Sequence, residues 1–479
     1  MTLFSPAEGA LMLAAFGVLA YGVTRAAYRR RSPLTAKQSF LVADRAVGWR
    51  PASFSIAAAW IWAPALFVAA QQGYQHGWVG VFWFTVPNVA CLLVFAQFAA
   101  RMRERHPYGW TLSDYMRRLS PRVQRIYLVA LGGLAVCSFA VQLLAGGMIV
   151  STLTGIPYVL VTVALAAIAL SYTLRSGVKA SILTDWTQMA VIVAVVLTLV
   201  PWAVHRAGLQ TVLDGLGGAS GDFTSLTSGP GAGVFWSFGL STTIGLLSGP
   251  FGDQSFWQRT WSIRHGEVRR AFTVGALLFA VVPLTMSLLG FAAAGAQLDV
   301  ANPQLTNLSA VLHWLPEWTA VPFLVFILCG LVSTLDSNLA SAASLAGHDA
   351  TRWQLDAVRN GRLGMIGLAV AATALANVPG LTVVGLFIVY GTLRASTLAP
   401  TVLVLTRRTV AEAGVFWGVT SALAVGVPLS AYGNLTGQPP WIVAGSLTVL
   451  ALSAGITLAA SWRDRARGLT DLEVPPWAR

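Results

Sequence analysis

The sequence predicts an all-α polytopic membrane protein of about thirteen transmembrane helices, folded as a 5+5 inverted repeat with broken second and seventh helices. Three observations carry this reading: the composition, the spacing of positive charge, and two interrupted apolar runs. Hydrophobic residues make up 56% of the 479 and charged residues only 10%, with a mean hydropathy of +0.67. An ordinary soluble domain carries about 25% charged residues, so the composition excludes that class. The net charge of +13 does not indicate nucleic acid, because the arginines cluster between apolar runs, where membrane topology accounts for them.

Apolar runs near the roughly 20 residues that cross the hydrocarbon core lie at about 6–27, 51–73, 78–100, 125–151, 156–174, 180–203, 233–260, 270–295, 320–346, 363–379, 381–406, 411–432 and 440–461. The opening MTLFSPAEGALML lacks a basic leader region, so the first run is expected to be retained as a span. Arg25 and Arg29 to Arg31 follow the first run, and Arg101, Arg103, Arg105, Arg117, Arg118 and Arg122 follow the third. Arg175 and Lys179, Arg259 to Arg270, Arg352 to Arg362, Arg407 and Arg408, and the tail from Arg463 continue that alternation. Every second connection is basic, which places the N-terminus outside and the C-terminus in the cytoplasm.

The expected organisation is an N-terminal helix with a basic inner loop (1–34), a first repeat of spans 2–6 (35–206) and an outer loop (207–232). A second repeat of spans 7–11 (233–409), two accessory helices (410–462) and a cytoplasmic tail (463–479) follow. The basic segment 101–124, with Tyr108, Trp110 and Tyr115, is expected to form a short amphipathic helix on the headgroups. Cys91, Cys137 and Cys329 lie inside apolar runs without metal or disulfide spacing. The six histidines are scattered over loops and span ends and are expected to be solvated. No catalytic triad or phosphate-binding glycine loop stands out, so no enzymatic activity is expected.

Two spans depart from a simple helix. In SIAAAWIWAPALFVAAQQGY, Pro64 removes a backbone donor one turn after Trp60. In STTIGLLSGPFGDQSFW, Gly249, Pro250 and Gly252 oppose a continuous helix. Breaks at matching positions of two halves point to a transporter whose site lies where the helices unwind. The ninth run contains ILCGLVSTLDSNLASAA, in which Gly330, Ser333, Thr334, Ser337, Ser341 and Ser344 recur at helical spacing with Asp336 beside them. Hydroxyls alone would serve close helix packing. A carboxylate at a helix centre carries an insertion penalty of about 2.5–3.5 kcal/mol, so it faces a bundle interior. Hard oxygens beside an acid suit a small dehydrated cation.

The segments TDWTQ at Thr184 to Gln188, FGDQSFWQR at Phe251 to Arg259 and LVSTLDS at Leu331 to Ser337 resemble the sodium/solute symporter family over roughly residues 35–460. Within it, AAAWIWAPALF followed by GDQSFWQR is most similar to the urea and polyamine permease branch. The resemblance implies a LeuT-type fold and a sodium site formed by carbonyls of Ala58, Ile61 and Gly330 with hydroxyls of Ser333 and Thr334. It also implies a further site at Asp185, Ser333, Asp336 and Ser337, where an acid replaces the family's usual hydroxyl at 336. Two carboxylates sharing a site favour binding a proton instead of, or as well as, a second sodium.

The substrate is expected to be small and planar, because Trp60, Trp62, Trp83 and Trp236 offer ring faces and Gln71 and Ser241 offer polar partners. Many of the 18 tryptophans also have interfacial and packing roles open to them. Arg394, an intramembrane charge, would pair with an acid or hold an anionic solute, and would repel a polyamine. Asp253 and Arg259 are expected to pair with each other and gate the inner vestibule. The mechanism expected is cation-coupled symport of a urea-like solute, with coupling by sodium or, alternatively, by protons. The alternative solutes are a polyamine or a carboxylate or amino acid. A passive channel would transport without either gradient, and a sensor would need an output segment longer than the short tail.

Overall fold

The structure is a computed structural model that describes residues 3–28, 36–349, 356–407 and 409–467. Arg29 to Arg31, Arg352, Arg408 and the tail from residue 468, which enter the charge pattern above, lie outside the described residues. The first half runs through α1 (Pro6–Tyr28), α2 (Ala36–Val42), α3 (Trp49–Trp60), α4 (Ala63–Arg105), α5 (Leu112–Met116), α6 (Pro121–Thr154), α7 (Tyr158–Ser176), α8 (Val178–Ala207) and α9 (Leu209–Asp214). The seventh run is divided into α10 (Gly229–Val234), α11 (Leu240–Leu247), α12 (Gly249–Gly252) and α13 (Gln254–Ser262). Then follow α14 (Val268–Gly295), α15 (Thr306–Trp314), α16 (Ala320–Ser344), α17 (Ala357–Ala376), α18 (Val383–Thr406), α19 (Glu412–Ser421), α20 (Val427–Leu435) and α21 (Pro439–Ala466). Among the described residues the only β pairing is one bridge, Val47 with Ile263.

Local sequence explains several boundaries. Ser120 caps α6 by accepting from the Val123 N–H, Pro121 opens it, and Gly155 closes it in the left-handed conformation. Thr382 caps α18 in the same way, by accepting from the Gly385 N–H. A straight helix as long as α4 would extend about 65 Å at 1.5 Å per residue, twice the hydrocarbon thickness. It turns back instead at His76 and Gly77, whose backbone (φ 55, ψ −151) favours glycine. A Cβ at Gly77 would sit 2.1 Å from the Leu216 carbonyl oxygen. The second half of the second span and the whole third span are therefore two helical arms joined at this turn.

Ten helices among the described residues are long and apolar enough to cross a membrane, against the thirteen expected. The merged arms of α4 and the division of the seventh run account for two of the differences. The third is α17, whose first turns carry Arg359, Asn360 and Arg362. At the centre stands α16, buried on every side from Phe326 to Ser344 and packed against α3, α6, α7 and α8. Leu11, Val18, Leu19, Leu277, Leu284 and Val370 are exposed on outer helices, as a lipid-facing surface requires.

The segment 101–124 corrects one expectation. Its helix, α5, has Leu112, Ser113, Tyr115 and Met116 buried, so it is packed into the protein and does not lie on the headgroups. His348 is likewise not simply solvated. Its ring stacks on Trp110 and its Nε2 lies 3.3 Å from Asp114 Oδ2.

Candidate functional site

At the end of α3 the Ile61 N–H donates to the carbonyls of Ala57 (2.8 Å) and Ala58 (3.2 Å). Trp62 is extended, and α4 restarts with Pro64 in its first turn, where a missing N–H is no loss. Gln142 Oε1 accepts from the Ala63 N–H at 2.7 Å, which satisfies one donor freed by the break. The Ile61 carbonyl faces α16, and a Cβ at Gly330 would lie 3.3 Å from its oxygen. The Thr334 hydroxyl is 3.4 Å from the Ala59 carbonyl and 3.3 Å from that of Gly330, longer than a strong O–H···O bond. Ser333 donates to Asp185 Oδ1 at 2.5 Å, which leaves its lone pairs as acceptors. Ile61, Gly330 and Thr334 thus come together at this crossing, and Ser333, next to Thr334 on α16, has its hydroxyl on Asp185. Ala58 accepts from the Ile61 N–H, and the carbonyl beside Thr334 is that of Ala59. Buried carbonyl and hydroxyl oxygens of this kind fit a small hard cation.

One turn further along α16 a guanidinium meets one of the two acids. Arg259 donates from Nη2 to Asp185 Oδ2 (2.9 Å) and to Ser337 (2.7 Å), and from Nε to Ser55 (3.0 Å). Ser55 in turn donates to Asp185 at 2.5 Å. The expected Asp253–Arg259 pair is not formed: Arg259 meets Asp185 and Asp253 meets Arg394. The physical reason is the break itself, because Asp253 is extended and caps α13, so the turns that follow carry Arg259 to the α8 side. Asp336 has no cation against it among the described residues. It accepts from Ser181 (2.7 Å), Tyr172 (2.8 Å) and Thr184 (2.9 Å), with Ser337 at 3.5 Å. Asp185, Asp336 and Arg259 are all fully buried, and together they sum to one negative charge when both acids are ionised.

Between the two breaks lies a closed cavity of about 10 Å³, room for about one water. Trp60, Trp62, Asp253 and Arg394 line it on one side, and Thr334, Ser337 and Asn338 of α16 also contribute to its wall. Gly249 and Gly252 serve close packing: a Cβ at Gly249 would fall 2.3 Å from the Trp60 ring, and one at Gly252 would fall 3.3 Å from Arg394 Cα. Pro250 sits in the first turn of α12, and the backbone leaves helical geometry at Asp253, beyond all three expected breakers. Of the residues expected to touch solute, Trp60, Trp62 and Arg394 line the cavity. Gln71, Trp83, Trp236 and Ser241 do not. Gln71 and Trp83 on α4 and Ser241 on α11 each carry a buried polar atom that lacks a partner among the described residues. Trp236 is 58% exposed.

Sequence reasoning missed Ser55, Tyr172, Ser181, Ser138 and Asn338, and gave Arg259 the wrong partner. Ser181, Thr184 and Asp185 share a helical stripe, which would have flagged the first helix face of α8. A second polar cluster lies between α5 and the segment after α16, where ligand atoms of Asp114, His348 and Asp349 fall within 4.8 Å of one another. It is filled by the protein's own groups: Lys37 Nζ is 3.0 Å from His348 Nδ1, and Thr111 and Ser113 donate to Asp349. Burial raises the Asp114 carboxyl, but His348, His106 and Arg117 together outweigh it and leave the group below its ordinary value.

A family model for the sodium:solute symporter family matches residues 40–421. A probable urea active transporter 1 of Schizosaccharomyces pombe is 24% identical over 310 residues, 61% of this chain and 46% of that one. The urea-proton symporter DUR3 of Oryza sativa is 23% identical over 479 residues, 88% of this chain and 66% of that one. The chain therefore spans about half to two thirds of the length of these curated relatives. A sodium/pantothenate symporter of Escherichia coli is 26% identical over 355 residues, 70% of this chain and 71% of that one. Among solved structures, a Na+-coupled sialic acid symporter in a substrate-bound outward-open state superposes with a TM-score of 0.73 at 16% identity, covering 95% of this chain and 97% of that one. MHP1, a nucleobase-cation-symport-1 family transporter in a closed conformation, gives 0.59 at 17%, covering 91% and 97%. At these identities the likeness shows a shared fold.

Proposed function

Because this chain belongs to the sodium:solute symporter family, we propose that it carries a small polar, urea-like solute across the cell membrane by cation-coupled symport. The observation that carries the proposal is the crossing of the break at Ile61–Trp62 with α16, beside a closed cavity that faces both broken helices. Sodium is held by oxygens of Ile61, Gly330, Ser333 and Thr334, and the solute lies against Trp60 and Trp62. The N-terminus is outside and the C-terminus cytoplasmic, so the membrane potential adds about 2.3 kcal/mol per inward charge per 100 mV. Cation and solute drive closure only to the extent that they bind the closed state more tightly than the open one.

A second reading, coupling to protons, is favoured by one observation. Arg259 already compensates Asp185, whereas Asp336 is surrounded by hydroxyls alone. A proton on Asp336 would neutralise the remaining charge without a metal ion. The named relatives include both sodium and proton symporters.

Uptake of a solute panel into proteoliposomes under an imposed sodium or proton gradient tests both readings. Ser333→Ala is expected to abolish sodium stimulation, and Asp336→Asn to change the pH dependence of uptake. Normal transport by both variants would place the coupling site elsewhere.

A further inference from the structure

Arg394 is not arranged as an ordinary structural cation. Its guanidinium carbon lies 5.2 Å from the Trp60 ring centre, 5.1 Å from Trp62 and 3.8 Å from Tyr390, so three ring faces surround one charge. Nη2 donates to Asp253 Oδ2 at 3.3 Å and to the Tyr390 hydroxyl. Asp253 is fixed in turn by the Ser255 N–H at 2.9 Å and by Tyr390 at 3.2 Å. Gly249 keeps the place open, since a Cβ there would press on Trp60 and lie 3.3 Å from Arg394 Nη1. An aromatic box closed by one carboxylate is a receptor for a flat monocation bearing N–H donors. Here the protein supplies that cation itself.

We propose that the Arg394 guanidinium is a tethered occupant of the solute pocket, and that it sets the charge of the solute the pocket accepts. The claim rests on the symporter reading above and adds the selectivity rule. With Asp253 and Arg394 paired the box is electrically neutral. A cationic solute would meet the guanidinium, and an anionic one would meet the carboxylate. The cavity holds about one water, so a solute of several heavy atoms enters only as Arg394 moves aside. Arg394 Nε and the indole N–H groups of Trp60 and Trp62 have no partner among the described residues. All three are donors, which suits a neutral solute presenting a carbonyl oxygen and flat enough to lie on the rings.

Removing the tether should convert the pocket into a site for a free cation of the same shape. The measurement is binding of radiolabelled guanidinium, as the chloride, to purified wild-type protein, Arg394→Ala, Arg394→Lys and Arg394→Ala/Asp253→Asn. Arg394→Ala is expected to bind guanidinium at roughly millimolar concentration and at least tenfold more tightly than wild type. The double variant is expected to lose that gain. Arg394→Lys, which retains a charge against Asp253, should bind no better than wild type. If Arg394→Ala folds only when guanidinium is present during purification, that rescue is the same result read as stability. Guanidinium binding equal in wild type and Arg394→Ala, a gain that survives loss of Asp253, or tight binding by Arg394→Lys would each overturn the proposal. The assay needs no gradient and no native solute, so a gain in guanidinium binding with no uptake of any panel solute would locate the failure in the transport reading, and uptake without that gain would locate it here.

Discussion

Arg259 and Arg394 are both buried and each meets an aspartate, at 2.9 and 3.3 Å. Their surroundings are opposite. Asp185 and Arg259 are wrapped in the hydroxyls of Ser55, Ser333 and Ser337, whereas Asp253 and Arg394 are wrapped in the rings of Trp60, Trp62 and Tyr390. Hydroxyls can reverse their donor and acceptor roles, so they can re-solvate a metal ion or proton that arrives beside the pair. The indole rings cannot, but they offer flat, polarisable faces to a planar guest. Similar ion pairs thus leave one region suited to a hard cation and the other to an organic solute.

The largest expected effect separates these regions at the hydroxyl side. Asp185→Ala leaves the Arg259 charge buried without its acid and should destabilise the protein by about 3–5 kcal/mol. Thermal melting of detergent-purified protein would show it, and Asp185→Ala/Arg259→Met should recover most of the loss without restoring coupling. A wild-type melting temperature for Asp185→Ala would show that the pair is not a compensated buried charge. On the aromatic side, Gly249→Ala forces a methyl against Trp60 at a cost of about 1–3 kcal/mol. Solute uptake should fall while the sodium dependence of the remaining uptake is unchanged, and a parallel loss of sodium affinity would merge the two regions. Tyr172→Phe removes one donor to Asp336. The expected destabilisation is about 1 kcal/mol where Asp336 is protonated and about twice that where it is ionised, so melting across pH reports which form the site holds. The smallest effect is expected for Trp236→Ala, within about 0.5 kcal/mol and with uptake intact, because that ring is largely exposed.

Much of this contrast is legible in the sequence. The stripe on α16 was readable because hydroxyls at three- and four-residue spacing must share a face, and the acid among them marks an inward one. Pro64 likewise marked the break in the second span to within three residues. Ion-pair partners were not readable. Asp253 and Arg259 are close in sequence, but one extended residue between helices resets the phase, and pairing then depends on α8 and α18, remote in the chain. Tryptophans were equally ambiguous, since Trp62 and Trp236 have the same chemistry and only tertiary packing hides one and exposes the other.

The turn at His76 and Gly77 has a mechanical corollary. Two helical arms meet within two residues, and the bend is held by the Ala219 N–H, which donates to the Tyr74 carbonyl at 2.7 Å, and by the Leu216 carbonyl against Gly77. A tilt of the arm that starts at Ala63 must therefore either carry the segment 216–219 with it or break that segment's hydrogen bond to Tyr74.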